Sequence, residues 1–307
     1  MIDFGQVSHF IENYLLDKYL LRYNEIIFIG ISRRSNAPNG QYVIRFAIDN
    51  ENSALRNELL SDHQMKKMIG LEVVLKHRKR NEINLDLSLF APERKDCIQP
   101  GIPVTGISKG AISAVMFKSA CPYILSNAHI LGPKNTKVYQ PDSFAIQPDL
   151  NEIGQVEIAD LNLDCAICPL LRRNYIRSIV DLEITPSKSV PASIGDSVVK
   201  FGLRSGRTFG VVTTIKAIVK KSVNQCVRSQ LIIEPDLNRI PESFEISVSG
   251  DSGAPWIKTD SFGNPTDILL GIESGGDASN IDMSLKAEYA HATEMVSIQR
   301  ALKIEFH

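Results

Sequence analysis

The sequence predicts a mainly β protein with a small α+β segment at its start, and three observations predict it. Helical spacing of apolar residues is confined to the first 80 residues and to residues 293–303. Between these segments, short runs rich in β-branched residues alternate with clusters of Gly, Pro, Asn and Asp. About ten such runs in roughly 200 residues indicate an all-β sandwich or a pair of barrels.

The first 80 residues have a mixed pattern. A stripe of apolar residues with a period near 3.6 is followed by two β-rich runs, which are separated by Pro and Asn-Gly turn residues. A second helical pattern then ends at Gly70 and leads into a further apolar run. The predicted order is helix, strand, strand, helix and strand, over residues 7–21, 25–32, 42–48, 53–69 and 71–77.

A domain boundary is expected in the polar, Pro-containing stretch at residues 79–103. We therefore predict an N-terminal α+β module at residues 1–95, with a regulatory or recognition role, and a second domain at residues 96–307. The module would offer a surface to a regulatory protein partner.

Composition and charge exclude several classes of protein. Hydrophobic residues make up 43% of the 307 residues and charged residues 22%, which is ordinary for a folded globular protein. The 34 Lys and Arg residues balance the 35 Asp and Glu residues, so no overall field attracts nucleic acid or an anionic membrane. No uncharged apolar run reaches the roughly 18 residues that a membrane span requires. We expect no nucleic-acid partner and no membrane contact.

The N-terminal segment has no basic leader and no small-residue cleavage pattern, so a cytoplasmic location is expected. The five cysteines are few and odd in number, as is typical of reduced thiols. Cys165 and Cys168 form a Cys-x-x-Cys motif inside an alternating apolar run, and the sequence has no second motif of this kind. This pattern favours buried packing, and we expect neither a metal nor a cofactor.

The sharpest motif is Ser-Gly-Asp-Ser-Gly-Ala-Pro-Trp at residues 249–256. Glycines on both sides of Ser252 allow a tight turn that presents the hydroxyl outward. The same turn would aim the amides of Gly250 and Ser252 at one point, as an oxyanion hole requires. A serine hydroxyl becomes a good nucleophile only when a positioned base takes its proton.

A histidine and a carboxylate with suitable surroundings are present. His129 follows an apolar run within a turn of small residues, and Asp164 directly precedes another apolar run. Burying a carboxylate is costly without a partner, and an imidazole N–H is a suitable one. Asp160 is the nearest alternative carboxylate.

The order His129, Asp164 and Ser252, within the motifs SNAHIL, NLDCAI and SGDSGAPW, resembles the chymotrypsin-like, or trypsin-like, serine peptidases. GIESGG and YAHATEMVSIQRAL extend the resemblance to about residues 104–307. It implies two six-stranded antiparallel β-barrels with a C-terminal helix and the active cleft between them. It also implies that Asp164 is the third catalytic residue, and that the backbone of Ser274 and Gly276 pairs with the substrate as an added strand.

Two further roles follow from the resemblance. Residues 203–210 resemble a segment of streptogrisins and α-lytic protease, which implies that Arg204 is the internal cation for Asp251. The alternative is a solvated turn. Ile246 matches the position at the base of the primary pocket, so an apolar floor would disfavour Lys and Arg before the scissile bond and favour apolar or small residues. Glu273 would change this if its carboxylate entered the pocket.

The expected function is that of a bacterial, intracellular serine endopeptidase, a hydrolase that acts on proteins or peptides and is gated by its N-terminal module. The alternative is a non-catalytic scaffold of the same fold whose cleft only binds peptides. An esterase would share the chemistry, but the Gly-x-Ser-x-Gly elbow and the order Ser, Asp, His are absent from the sequence.

Overall fold

The computed structural model describes residues 3–34, 40–49, 52–76, 94–141, 148–171, 173–223, 225–239, 245–276 and 288–306. Residues 35–39 of the predicted hairpin turn lie outside this part of the chain. The predicted boundary stretch is described only from residue 94 onward, so the boundary at residue 95 stays a prediction.

Most of the described residues form strands. In chain order, the strands are β1 (Ile26–Arg33), β2 (Tyr42–Ile48), β3 (Leu71–Leu75), β4 (Cys97–Ile98), β5 (Pro103–Thr105), β6 (Lys109–Ala111), β7 (Ala114–Lys118), β8 (Cys121–Ser126), β9 (Lys137–Tyr139), β10 (Glu152–Gln155), β11 (Ile158–Asp160), β12 (Cys165–Pro169), β13 (Asn174–Tyr175), β14 (Ser197–Gly202), β15 (Gly206–Ser222), β16 (Gln225–Pro235), β17 (Pro255–Thr259), β18 (Pro265–Gly276) and β19 (Ala290–Glu294). The helices are α1 (Phe4–Phe10), a π-helix (Ile11–Leu20), α2 (Ser53–Ser61), α3 (His63–Met68), α4 (Ala128–Leu131), α5 (Pro148–Asn151) and α6 (Met295–Leu302).

The first helix begins at a conventional cap and then widens. The Asp3 carboxylate accepts hydrogen bonds from the amides of Gly5 and Gln6, which satisfies two of the unpaired N–H groups at the start of α1. The chain then continues as the π-helix Ile11–Leu20. At its end the Leu21 amide donates to the carbonyl of Leu16, five residues earlier. The buried positions of this π-helix share a wider spacing than an α-helical stripe has; they are Ile11, Leu15, Leu16, Tyr19 and Leu20.

Six strands of the second half close into an antiparallel barrel. They pair in the order β14, β17, β18, β19, β16 and β15, and β15 pairs back to β14. This confirms the prediction of a mainly β fold with a six-stranded barrel, because the β-rich runs of the sequence pair with their neighbours around a common interior.

The N-terminal segment extends this barrel instead of standing apart from it. Strand β1 pairs with the second half of β15, β2 pairs with β1, and β3 pairs with β2. Apolar residues of the first helices and of the barrel also share one core, in which Leu15 and Phe46 belong to the same cluster as Leu231 and Trp256. The predicted α+β order is present, but its described part is joined to the barrel by a continuous sheet.

The first half of the predicted double barrel forms two four-stranded sheets. One has the order β10, β9, β5, β6, and the other β11, β12, β8, β7. A separate core lies between them. A further cluster joins this half to the second barrel and to α6, whose buried residues are Met295, Ile298 and Leu302. The two halves are therefore joined by a common apolar core.

No helix in the described part of the chain has both the length and the apolar character that crossing a bilayer demands. In the same residues, no group of three or more His, Cys, Asp or Glu side chains is arranged to hold a metal ion.

Candidate active site

His129 and Asp164 are in direct contact at the edge of the first half. Strand β8 ends at Ser126, and the short helix α4 then carries His129. The ring Nδ1 lies 2.7 Å from Asp164 Oδ2, and the backbone amide of His129 donates to Asp164 Oδ1 at 3.0 Å. The histidine side chain is 39% exposed and that of Asp164 only 8%, so the imidazole reaches the surface with the carboxylate buried behind it.

The local backbone around Asp164 explains this position. Asp164 lies in the turn between β11 and β12 with φ +49°, a left-handed conformation that aspartate adopts more readily than most residues. Its carbonyl accepts a hydrogen bond from the Asn127 side chain at 3.0 Å. The alternative carboxylate, Asp160, accepts from the amides of Asn162 and Leu163 and thereby caps the turn.

Asp164 is held in its charged form. Burial by itself would raise its pKa, but the hydrogen bond and the charge of His129 outweigh burial. The charge of Lys221 and a hydrogen bond from Ser274 act in the same direction, and the pKa lies below its ordinary value. The Ser274 hydroxyl donates to Asp164 Oδ2 at 2.7 Å, which ties strand β18 of the second barrel to the first half.

Ser252 lies in the turn before β17, a strand of the six-stranded barrel. Its carbonyl accepts from the Ala111 amide at 2.7 Å, and Ala111 directly precedes the loop into β7. The next residue has to be glycine, because a Cβ on Gly253 would lie 2.1 Å from the Ala111 carbonyl oxygen and its φ is +88°. Within the described residues the Ser252 hydroxyl forms no hydrogen bond; such bonds are often long in the absence of substrate.

The turn before Ser252 presents unused amides. Gly250 has φ +103°, which favours glycine, and the Asp251 amide donates to the Val248 carbonyl at 2.9 Å. Across the described ranges, neither the Gly250 amide nor the Ser252 amide donates to a protein acceptor. Two amides on either side of Asp251 therefore remain for a ligand oxygen.

The cation in contact with Asp251 is Lys200, and the expectation that Arg204 supplies it is wrong. Lys200 Nζ lies 2.9 Å from Asp251 Oδ2, and both side chains are fully buried. Arg204 reaches Asp251 through its backbone amide at 2.8 Å, while its side chain lies along Gly250 with Nη1 3.3 Å from the Ser249 carbonyl. The physical reason is position. Lys200 lies within strand β14 with its side chain buried beneath the turn, whereas Arg204 lies in the loop after that strand and is exposed.

Asp251 is also ionised. Burial would raise its pKa, but the charge of Lys200 and the hydrogen bonds that Asp251 accepts hold the pKa below its ordinary value. The sequence places Lys200 inside the β-rich run SVVKFGL, but that run does not alternate, so it did not show that this lysine faces the interior and needs a buried anion.

The expected substrate-binding residues divide into two groups. Ser274 and Gly276 lie at the end of β18, where Ser274 contacts Asp164, the partner of His129. Ile246 is fully buried in the core that includes Ile233, so its side chain is not exposed to a substrate. Its neighbour Ser247 borders the strand instead, since a Cβ on Gly276 would lie 2.9 Å from Ser247 Oγ.

Glu273 points into the interior. Its two oxygens accept hydrogen bonds from Ser247 Oγ at 2.6 Å and from Trp256 Nε1 at 2.5 Å. Burial raises its pKa to about 7, although the charge of Lys200 and the two hydrogen bonds counteract this. Glu273 therefore stands behind Ser247 with both oxygens occupied.

Comparison with solved structures supports a chymotrypsin-like fold. An α-lytic protease homologue, N4, is 15% identical with a TM-score of 0.53 over 69% of this chain and 100% of its own. Thermobifida fusca protease A is 16% identical with a TM-score of 0.52 over 68% of this chain and 98% of its own. A serine protease specific for glutamic acid, described as using a histidine triad in substrate binding, is 17% identical with a TM-score of 0.53 over 68% of this chain and 100% of its own.

These identities establish the shared fold alone. No family model matches the chain, and no curated protein matches it either.

Proposed function

We propose that this protein is a serine endopeptidase that hydrolyses peptide bonds through an acyl-enzyme. The observation that carries the proposal is the contact of His129 Nδ1 with a buried, ionised Asp164, which leaves the other ring nitrogen toward the cleft. Asp164 accepts from both the ring and the backbone of His129, so the imidazole has one orientation and one tautomer.

The reaction uses these groups in turn. Ser252 Oγ attacks the peptide carbonyl while His129 Nε2 takes its proton, and Asp164 stabilises the resulting imidazolium. The carbonyl oxygen becomes an oxyanion that the amides of Gly250 and Ser252 would bind. His129 then gives the proton to the leaving amine, and a water molecule repeats the sequence on the acyl-enzyme.

The substrate is a protein or peptide in extended conformation. The backbone of Ser274 and Gly276 would pair with it as an additional strand, which orients the scissile bond toward Ser252. No cofactor is needed for this chemistry.

The N-terminal segment is proposed to gate the cleft or to bind a regulatory protein. Support comes from β15, in which Lys220 reaches the end of the π-helix while the next residue, Lys221, reaches the proposed substrate strand. Cytoplasmic action in a bacterium is part of the same proposal. It is supported by the five described cysteines, all of which are free thiols, and by the bacterial structures of the same fold.

A fluorophosphonate probe that reacts with activated serines tests the proposal. The wild-type protein should be labelled, Ser252→Ala should not be, and the exposed Ser261→Ala control should be labelled normally. His129→Ala should lower peptide turnover by about a millionfold, and Asp164→Asn by about ten-thousandfold because the amide favours the wrong tautomer. A wild-type protein that folds but neither labels nor cleaves peptides would contradict the proposal and favour the peptide-binding scaffold.

A further inference from the structure

A lysine side chain contacts the backbone of β18, the strand on which the substrate is proposed to bind. Lys221, near the end of β15, donates a hydrogen bond from Nζ to the carbonyl oxygen of Ser274. A Cβ built on Gly275 would lie 3.2 Å from Lys221 Nζ and 3.1 Å from His291 Nε2. Two nitrogen atoms therefore converge on the backbone of Gly275, which has φ +143° and no side chain to separate them.

A chain of hydrogen bonds determines which ring nitrogen of His291 carries the proton. The Gln230 side-chain amide donates to Thr293 Oγ1 at 2.8 Å and to the Arg228 carbonyl at 3.0 Å, so its oxygen is the acceptor for His291 Nδ1 at 2.9 Å. Nδ1 therefore carries the proton and Nε2 the lone pair. Burial, followed by the charges of Lys221 and His129, holds the pKa of His291 well below its ordinary value.

His291 is thus a neutral acceptor, and Lys221 is the cation at this position. Other lysines of the barrel have better partners, such as Lys216 with Glu294 and Lys200 with Asp251. In the part of the chain that the structure describes, Lys221 forms no ion pair with a carboxylate. The ammonium group of Lys221 donates to a neutral carbonyl. A hydrogen bond to a carboxylate in its place would be stronger, because both partners would then be charged.

The surroundings of Lys221 favour an anionic ligand. The residue is exposed, but its Nζ is enclosed against the strand, where burial lowers the pKa of Lys221 and the charges of Asp164 and Glu273 raise it. Its charge in turn lowers the pKa of Asp164, which places it within electrostatic reach of the catalytic pair. The charge of Glu273 raises the pKa of Lys221, but among the described residues Glu273 forms no ion pair with it, since its two oxygens accept hydrogen bonds from Ser247 and Trp256.

We propose that Lys221 selects peptides with an acidic side chain immediately before the scissile bond. This inference rests on the proposed peptidase function. The substrate carboxylate takes the ammonium from the Ser274 carbonyl, and that carbonyl then accepts the backbone N–H of the same substrate residue. Acidic substrates thus create their own strand-pairing site, whereas a Lys or Arg side chain meets a like charge. The earlier expectation of an apolar or small residue, which depended on Ile246, is replaced.

Peptide binding to the inactive Ser252→Ala protein tests the inference independently of catalysis. Two peptides that differ only in Glu or Gln before the scissile bond are compared by isothermal titration calorimetry. The Glu peptide should bind about 10-fold more tightly, and Lys221→Met in the same background should bring the two affinities together. Lys188→Met, in an exposed ion pair with Asp267, serves as the matched control and should keep the 10-fold ratio.

Turnover of the same peptides by the active protein separates the two proposals. The expected ratio of kcat/KM for Glu over Gln is again about 10, and Lys221→Glu should reverse the preference toward Lys peptides. Equal binding and equal turnover of the Glu and Gln peptides by a protein that labels at Ser252 would overturn this inference and leave the peptidase intact. Tight, Lys221-dependent binding of the Glu peptide without labelling or cleavage would retain the recognition of acidic peptides by Lys221 and reject the peptidase, and with it any role of Lys221 in choosing a scissile bond. Equal binding without any turnover would reject both.

Discussion

The buried pair of Lys200 and Asp251 fixes the turn that carries Ser252. Asp251 accepts from the amides of Arg204 and Val248 as well as from Lys200, so one carboxylate joins β14, the following loop and the turn that carries Ser252. Burying two charges is costly, and the pair is stable only when each member keeps its partner. The cation that Asp251 contacts is thus an internal side chain.

The first prediction concerns this pair. Lys200→Met should lower the free energy of unfolding by about 3–5 kcal/mol and abolish labelling of Ser252, because Asp251 is left buried and unpaired. Arg204→Met keeps the backbone amide that donates to Asp251 and should lower the free energy of unfolding much less. Urea denaturation of both variants measures the difference, and equal losses would show that Arg204 is as important as Lys200.

The second prediction concerns Glu273 and pH. Its pKa is raised from 4.5 to about 7 in the folded protein, so the fold binds this proton more tightly than the unfolded chain does. The stability that the group contributes is complete below about pH 4.5 and is lost as the pH rises through 7.

Glu273→Gln cannot titrate, so its stability relative to the wild type should rise by about 2–3 kcal/mol between about pH 5 and pH 8. The oppositely shifted groups Asp164, Asp251 and His291 are common to both proteins and cancel in the difference. Urea midpoints at several pH values measure the trend, and a constant difference would contradict the raised pKa.

At the scale of elements, β15 connects the N-terminal segment with the cleft. Its residues 206–211 pair with β14 inside the barrel, whereas residues 214–219 pair with β1. Successive side chains of a strand point to opposite faces. Lys220 Nζ accordingly reaches the Leu20 carbonyl at 2.8 Å, at the end of the π-helix, while Lys221 reaches Ser274.

The third prediction follows from this geometry. Lys220→Met leaves the carbonyl of Leu20 without its lysine donor, so the amides at the end of the π-helix should exchange with solvent about 10-fold faster, corresponding to roughly 1–2 kcal/mol. Hydrogen exchange followed by mass spectrometry measures this. Lys221→Met is the control and should leave the helix unchanged; unchanged exchange in Lys220→Met would mean that the contact does not stabilise the helix end.

At the scale of the whole molecule, the N-terminal segment and the second barrel share one sheet and one core. The single tryptophan, Trp256, lies fully buried in that core together with residues of the first helices. Loss of the N-terminal segment would expose both the edge of β15 and a large apolar surface, so the two parts are expected to unfold together.

The fourth prediction is therefore a single unfolding transition for this unit. Tryptophan fluorescence and far-UV circular dichroism should give the same urea midpoint, and Leu15→Ala in the π-helix should shift both by the same amount, with a cost of about 2–5 kcal/mol. Two separate transitions, or a shift in only one signal, would indicate an N-terminal module that folds by itself.

The candidate catalytic residues could be located from the sequence because tight turns and buried carboxylates have strong local requirements. Gly250 and Gly253 adopt positive φ on either side of Ser252, and Asp164 directly precedes a buried strand. The β-rich runs and the initial helix are also local patterns, since the period of the apolar residues sets which face is buried.

What the sequence by itself determined was the mainly β fold, the order of the N-terminal elements and the identity of the candidate nucleophile turn. Only the tertiary structure decided which cation meets Asp251, that β1 joins the barrel along β15, and that Lys221 reaches the Ser274 carbonyl. The physical reason is that these three results depend on contacts between residues far apart in the chain, and such contacts leave no periodic or short-range signal.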